Sequence, residues 1–164
     1  MSIRLSGKLK RWQTDMHLEF TTPLDEEQGT IAALLYRCYA DLLTSDPLHW
    51  KPEQETWEQY DHEVYRHPET VGACIFLSRL NGRIVGFGSW DPRQTPRYGI
   101  VGHNGILPEF RGKGYGKRQL REILRRFRKM GIQTAGVTTL DHPFFIPAQR
   151  MYTACGFVEM RRIP

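Results

Sequence analysis

The sequence predicts an α/β domain with a mixed sheet, mostly antiparallel, built around one parallel βαβ unit. Three observations carry that expectation. Asn81-Gly82 joins two strand-like runs, and Asn-Gly in that setting is a strong hairpin signal. A glycine-rich stretch, Arg111-Gly112-Lys113-Gly114-Tyr115-Gly116, separates a strand-like run from an amphipathic stripe that a further strand-like run follows, and strand–helix–strand crossovers give parallel pairs. With 164 residues, 40% hydrophobic and 25% charged, the chain is one ordinary globular domain able to bury its own core.

The elements follow in order. Met16 to Thr21 alternates apolar and polar residues and reads as a strand. Pro23 and Asp25 signal a helix start, and Ile31, Leu34, Leu35, Cys38 and Leu42 form one apolar stripe of about five turns. Ser45-Asp46-Pro47 breaks it, and a second helix begins near Pro52, carries Trp57, Tyr60 and Val64, and ends at His67-Pro68. Ala73 to Leu80 and Arg83 to Trp90 are the hairpin strands, Asp91 to Arg97 a loop, and Tyr98 to Leu107 a third strand. Gly99, Gly102 and Gly105 mark that third strand for a bulge or a close approach. After the glycine stretch, Leu120, Ile123, Leu124 and Phe127 make a helical stripe that Gly131 ends as a C′ residue. Ile132 to Leu140 is a strand, Asp141-His142-Pro143 a loop, and Pro147 opens a short helix bearing Ala148, Met151, Tyr152 and Cys155. Gly156 caps it, and Phe157 to Met160 starts a last strand.

Several classes are excluded. The longest apolar run, Ile31 to Tyr36, is far below the roughly 20 residues of a membrane span. The first twelve residues hold Arg4, Lys8, Lys10 and Arg11 without an apolar core, so no secretory signal is read. Cys38, Cys74 and Cys155 have no metal or CxxC spacing and read as three reduced thiols of a cytoplasmic protein. His17, His49, His62 and His67 form no ligand spacing, so no metal is expected. The net charge of +5 is unevenly spread: residues 111–129 hold nine basic side chains against Glu122, and residues 41–69 hold eight acidic ones against Lys51 and Arg66. Such a chain has one place for an anion and another for a cation.

The glycine stretch is built for the anion. The first-turn amides of a helix lack internal partners, and the helix dipole adds positive charge there. Gly112, Gly114 and Gly116 let a phosphate approach the backbone, and Arg111, Lys113 and Lys117 add full charges at the rim. Neither the Walker pattern nor a clean dinucleotide fingerprint is present.

RGKGYG, preceded by Leu107-Pro108-Glu109-Phe110, resembles motif A (R/Q-x-x-G-x-G/A) of the GCN5-related N-acetyltransferase (GNAT) superfamily. Ala148-(x3)-Tyr152-(x3)-Gly156-Phe157 is similar to its motif B, A-x-x-x-Y-x-x-x-G-F. The resemblance covers about Met16 to Met160. It implies residues 1–164 as a single acyl-CoA N-acyltransferase domain, with 1–12 an extra N-terminal segment that supplies a strand to the sheet or to a dimer partner. It also implies a splayed cleft in which the amides of Arg111, Gly112, Lys113, Gly114, Tyr115 and Gly116, with Lys117 beside them, bind the pyrophosphate of acetyl-CoA. The backbone of Ile106 and Leu107 lies against the pantetheine and the acetyl carbonyl. Tyr152 matches the family's general-acid tyrosine.

The implied reaction is attack of a neutral amine on a thioester. Removing a proton from an amine of pKa about 10.4 costs roughly 4 to 5 kcal/mol at pH 7, so a base is useful. His103 lies on the strand where family members carry a Glu or His, and His142 follows the next strand; both are candidates. Simple alternation places His103 with Val101 and Gly105, and a bulge would change that parity. Phe145 holds a place where motif B often has Asn, so Phe144-Phe145 lines the acyl channel instead. The acidic, aromatic segment after residue 50 welcomes a cationic amine. The expected function is therefore transfer of an acetyl group from acetyl-CoA to a primary amine of a small molecule or peptide, with neither nucleic acid nor membrane as partner and homodimerisation open. The alternatives are a catalytically silent acyl-CoA sensor on the same fold and, from the 111–129 basic helix, a nucleic-acid binder.

Overall fold

The structure, a computed structural model, describes residues 17–160. The 1–12 segment and Met16 lie outside the described residues. Strand β1 is Leu18–Thr21, followed by a 3-10 turn at Pro23–Asp25, then helices α1 (Thr30–Cys38), α2 (Ala40–Ser45) and α3 (Pro47–Arg66). Strands β2 (Ile75–Leu80), β3 (Arg83–Gln94) and β4 (Tyr98–Ile106) precede α4 (Tyr115–Lys129), β5 (Thr134–Val137) and α5 (Ile146–Ala154). The sheet order is β1-β2-β3-β4-β5. Every neighbouring pair is antiparallel except β4 and β5, which are parallel and joined by α4.

Local chemistry explains most boundaries. Asn81 (φ 49°) and Gly82 (φ 79°) take the left-handed conformations that a two-residue hairpin requires. The end of α4 is a Schellman motif: Ile132 N–H donates to Phe127 O (3.0 Å) and Gly131 N–H to Arg128 O (3.0 Å). The end of α5 repeats it, with Phe157 N–H to Tyr152 O (3.1 Å) and Gly156 N–H to Thr153 O (3.0 Å).

The structure corrects six of the expected element bounds. Pro23–Asp25 is a separate 3-10 turn, and the single stripe to Leu42 breaks at Tyr39 into α1 and α2. Helix α1 starts at Thr30 because Gly29 (φ 100°) precedes it and a remote residue caps it: Asp61 of α3 accepts the amides of Gly29 (2.8 Å), Ile31 (2.9 Å) and Ala32 (3.1 Å). Helix α3 starts five residues early, at Pro47, with Asp46 capping His49 N–H (3.2 Å) and Pro52 carried inside the helix. Strand β3 runs through the expected loop to Gln94, because Asp91 and Gln94 still pair with β4. Strand β5 is only Thr134–Val137, and Phe157 to Met160 forms no strand; Phe157 instead packs its ring on Tyr152 (5.7 Å).

The two largest apolar clusters flank the sheet, with a smaller one around Leu18, Leu80, Val85 and Tyr115. On one side Ile31, Leu35, Cys38, Trp57 and Val64 of α1 and α3 pack on Ile75, Leu77, Phe87 and Leu107. On the other, Leu120, Ile123 and Phe127 of α4 and Tyr152 of α5 pack on Phe76, Trp90 and Val101. Gly99 belongs to this second face, where any side chain would meet the Phe127 ring at 2.9 Å. All three cysteines are free thiols. No described helix is long and apolar enough to cross a membrane.

Candidate functional site

The two parallel strands stay together only briefly. Their register ends at Val101↔Val137, while β4 continues to Ile106. Beyond Val101 the β5-facing edge of β4 is therefore open. Leu107 N–H is spent on Val85 O of β3 (2.9 Å). Main-chain groups alternate between the two edges of a strand, so Ile106 turns its own groups to the open edge, where its carbonyl accepts from Arg111 Nε (3.0 Å).

The glycine loop closes the end of this gap. A 3-10 turn at Pro108–Phe110 leads into it, and Gly112 (φ 74°) and Gly114 (φ 82°) are left-handed. A Cβ at either position would meet nothing within 4 Å, so the loop's surface is clear. Gly116 differs: its Cβ position is 3.3 Å from Met151 Sδ, and the missing side chain lets α5 lie close to α4. The Arg111 N–H, expected among the diphosphate-binding amides, is spent on Pro108 O (3.2 Å); among the described residues the next amide along the junction to donate to a main-chain carbonyl is that of Arg118, to Gly114 O (3.2 Å). The amides between them, with the dipole of a four-turn helix behind them, suit a diphosphate. Lys113 lies over the Phe110 ring (5.6 Å). Arg111 is a brace: its guanidinium also donates to Cys38 O at the end of α1 (2.5 Å), stacks on Phe144 (5.5 Å) and stands 3.9 Å from Asp41.

The three catalytic candidates occupy different places. His103 stands at a bulge. Gly88 pairs with Asn104 and Trp90 with Val101, so Ser89 alone opposes Gly102 and His103. The amide that loses its ladder partner, that of His103, donates to Ser89 Oγ (2.8 Å). The bulge splits His103 from Val101: His103 faces the α1–α3 layer against Tyr60 (5.3 Å) and Phe87 (5.8 Å), whereas Asn104 faces α4 and α5. Burial pushes the His103 pKa down to about 4, so its imidazole is neutral at pH 7. Tyr152 is buried on the opposite layer, and burial raises its phenol to about 12 while the adjacent Asn104 side chain pulls it back down. Its hydroxyl keeps its proton at neutral pH. His142 lies at the rim, where Nδ1 accepts Phe144 N–H (3.1 Å) and the ring stands 6.4 Å from Trp50.

Residues to which the sequence reading gave no role join these. Tyr39, at the α1–α2 break, stacks on Trp57 (5.3 Å) and meets Phe144 (5.9 Å) and Phe145 (6.4 Å). The Phe144–Phe145 turn thus packs against the α1–α2 junction. Burial, Cys38 and Tyr152 all raise the Tyr39 phenol. Gln119, on the inner face of α4, donates to Asn104 Oδ1 (2.7 Å). Its signal was a polar residue four after Tyr115 and four before Ile123, on the apolar stripe. Asp61 and Glu58 are engaged in structure, Asp61 as the α1 cap and Glu58 as acceptor of Tyr36 Oη (2.6 Å). Among the described residues no group of three or more His, Cys, Asp or Glu could hold a metal ion.

Comparison with known proteins agrees with this geometry. The family described as Acetyltransferase (GNAT) matches residues 37–157. No curated protein matches the sequence. A GNAT-family protein from Desulfovibrio desulfuricans superposes with a TM-score of 0.68 at 16% identity, covering 88% of this chain and 87% of that one. YycN from Bacillus subtilis gives a TM-score of 0.65 at 19% identity, covering 90% and 96%. AAC(6')-Iy in complex with the bisubstrate analog CoA-S-monomethyl-acetylneamine gives 0.59 at 15% identity, covering 90% and 95%. At these identities the likeness is one of fold.

Proposed function

The chain belongs to the acetyltransferase (GNAT) family, and on that premise we propose that it moves an acetyl group from acetyl-CoA to a primary amine of a small molecule or peptide by direct transfer. The observation that carries this reading is the parting of β4 from β5 after Val101 and Val137, directly above the glycine loop with its clear surface. A neighbour in the same fold, AAC(6')-Iy, is an aminoglycoside N-acetyltransferase crystallised with CoA, which supports both halves of the reaction.

Bound acetyl-CoA supplies an activated acyl thioester. The amides of Gly112 to Gly116, with Lys113 and Lys117, hold its diphosphate, while Arg111 braces the loop against β4 and α1. Ile106, whose main chain faces the open edge, aligns its pantetheine arm, with Leu107 buried behind it, its N–H and carbonyl held by Val85 and Phe110, and Phe145 beside the acyl end. A main-chain N–H on the open edge of β4 polarises the acyl carbonyl, a contribution of roughly 3 to 4 kcal/mol in other enzymes. Burial holds His103 near pKa 4, which keeps it neutral but makes it a weak base, so on this proposal it passes the proton of the amine on to solvent through water rather than retaining it; His142 at the rim is the alternative. Tyr152 holds its proton at Oη for the leaving sulfur.

The chain acts, on this proposal, as one acyltransferase domain in the cytoplasm. Titration calorimetry with acetyl-CoA, followed by a CoA-release assay over a panel of amines, tests the reading. Binding with acceptor-dependent release supports it. Binding without release for any amine favours the silent acyl-CoA sensor, and no binding overturns both.

A further inference from the structure

Helix α4 packs one side on the sheet through Leu120, Ile123 and Phe127 and leaves a basic flank outside, with Arg118, Arg121 and Arg125 exposed. The one acidic residue of the helix, Glu122, is committed to its neighbours: the carboxylate accepts from Arg125 Nε (2.7 Å) and Nη2 (2.6 Å) and from Arg126 Nε (2.8 Å). A guanidinium carries five N–H donors in one plane, so a fork held by Nε and Nη2 turns the Nη1 edge of Arg125 away from Glu122. The flank keeps a positive charge, and one of its arginines is already oriented.

Arg118, Arg121, Glu122 and Arg125 border a groove of about 300 Å³, and the residue that completes it is Phe20 of β1. Helix α4 offers no such ring itself, because its own aromatics, Tyr115 and Phe127, are buried. Phe20 is half-buried and held in place: its ring meets Phe76 edge-on at 4.8 Å, and Phe76 lies beneath the Arg126 guanidinium (5.0 Å). The contents of the groove narrow its ligand. The three exposed arginines stand three and four residues apart, a rise of about 4.5 and 6 Å along the helix, which suits charges repeated along a polymer better than a single ion. A run of carboxylates would satisfy the arginines and leave the ring unused. A duplex would present phosphates but keep its bases stacked, whereas a single strand offers phosphates and a free base face together. The segment before β1 does not suit the groove, since residues 1–12 hold four basic side chains and no acidic one. We propose that the groove binds single-stranded nucleic acid, with one base stacked on Phe20 and the adjoining phosphates on N–H groups of Arg118, Arg121 and Arg125. The acyl cleft stays open, because β1 and β5 are opposite ends of the sheet.

Fluorescence anisotropy of a labelled oligo-dT strand of about 12 nucleotides on the full chain, with and without saturating acetyl-CoA, tests this. Binding is expected in both conditions. Arg121→Gln should weaken it several-fold, flatten the slope of log K against log salt by about 0.7, and leave calorimetric binding of acetyl-CoA unchanged. Phe20→Leu, which keeps the apolar packing, should weaken the strand at least about fivefold with that slope unchanged. No binding at low salt, a duplex of the same length bound as tightly, or Phe20→Leu as tight as wild type each overturns the proposal. Displacement by poly-glutamate at equal charge overturns it in favour of an acidic protein partner, and loss of the strand on adding acetyl-CoA assigns the groove to the coenzyme instead. Should Phe20→Leu fail to fold, Arg121→Gln with the duplex and poly-glutamate comparisons decides. The readout is binding, so the proposal is judged independently of whether any amine is acetylated.

Discussion

Ser89 Oγ receives the main-chain N–H of His103 at 2.8 Å. One hydroxyl on β3 thereby replaces the carbonyl that a regular ladder would have offered, and the strand beyond it is turned over. Ser89 is 4% exposed, so water cannot stand in for it. Ser89→Ala leaves a buried donor unmatched, and urea unfolding should show a loss of about 1–3 kcal/mol. Gly102→Ala should also destabilise, since its Cβ would lie 2.6 Å from Ser89 Oγ. The two losses should be less than additive, because the second clash partner disappears with the first substitution.

Stability between pH 8 and pH 4 should report His103. Its pKa is held near 4 by burial, below an unfolded value of about 6.5. The unfolded chain therefore takes up the proton first. The stabilisation is complete above pH 6.5 and falls as the pH drops towards 4, by up to about 3 kcal/mol. Below that the slope from this group vanishes. Asp91 and Glu122, whose carboxyls are lowered chiefly by hydrogen bonds from Arg93 and Arg125, lose their contribution only in the more acid window. Unfolding curves across pH for wild type and His103→Phe should differ in slope between 6.5 and 4; parallel curves would refute the assignment.

Helix α1 depends on Asp61. Its carboxylate takes three amides that no local residue caps. Asp61→Ala should cost about 2–3 kcal/mol. Asp61→Asn, which keeps one acceptor oxygen, should cost less. The difference is read by denaturant titration, and equal costs would show that the charge, not the pair of oxygens, matters.

The glycine loop can be separated from generic turn strain. Gly114 (φ 82°) and Gly131 (φ 73°) are both left-handed with nothing near a would-be Cβ. Alanine at either position should cost about 1–2 kcal/mol of stability. Only Gly114→Ala should also weaken acetyl-CoA, by roughly tenfold, because only there does the Cβ enter the surface offered to the diphosphate. Calorimetric titration of the two variants side by side checks this.

Much of the site was legible because its signals are local. Gly112 and Gly114 flank Lys113 in the loop they shape, and Tyr152 stands in a motif whose spacing is one helix face. What lay beyond reach involves partners far apart in the chain. Nothing around His103 says that Ser89 opposes it. Nothing around Tyr39 says that Trp57, Phe144 and Phe145 will surround it. Gln119 looked like one more polar residue in a basic helix.

The residues themselves determined the turns, the helix ends and the strand–loop–helix crossover, because φ preference, capping and apolar periodicity act over a few positions. Only the tertiary structure decided which face each β4 side chain takes. That depends on a single extra residue opposite Ser89, and a period-two strand reverses its faces at every such slip. The same physics assigns His103 to one layer and Asn104 to the other, and so separates the proposed base from the acid.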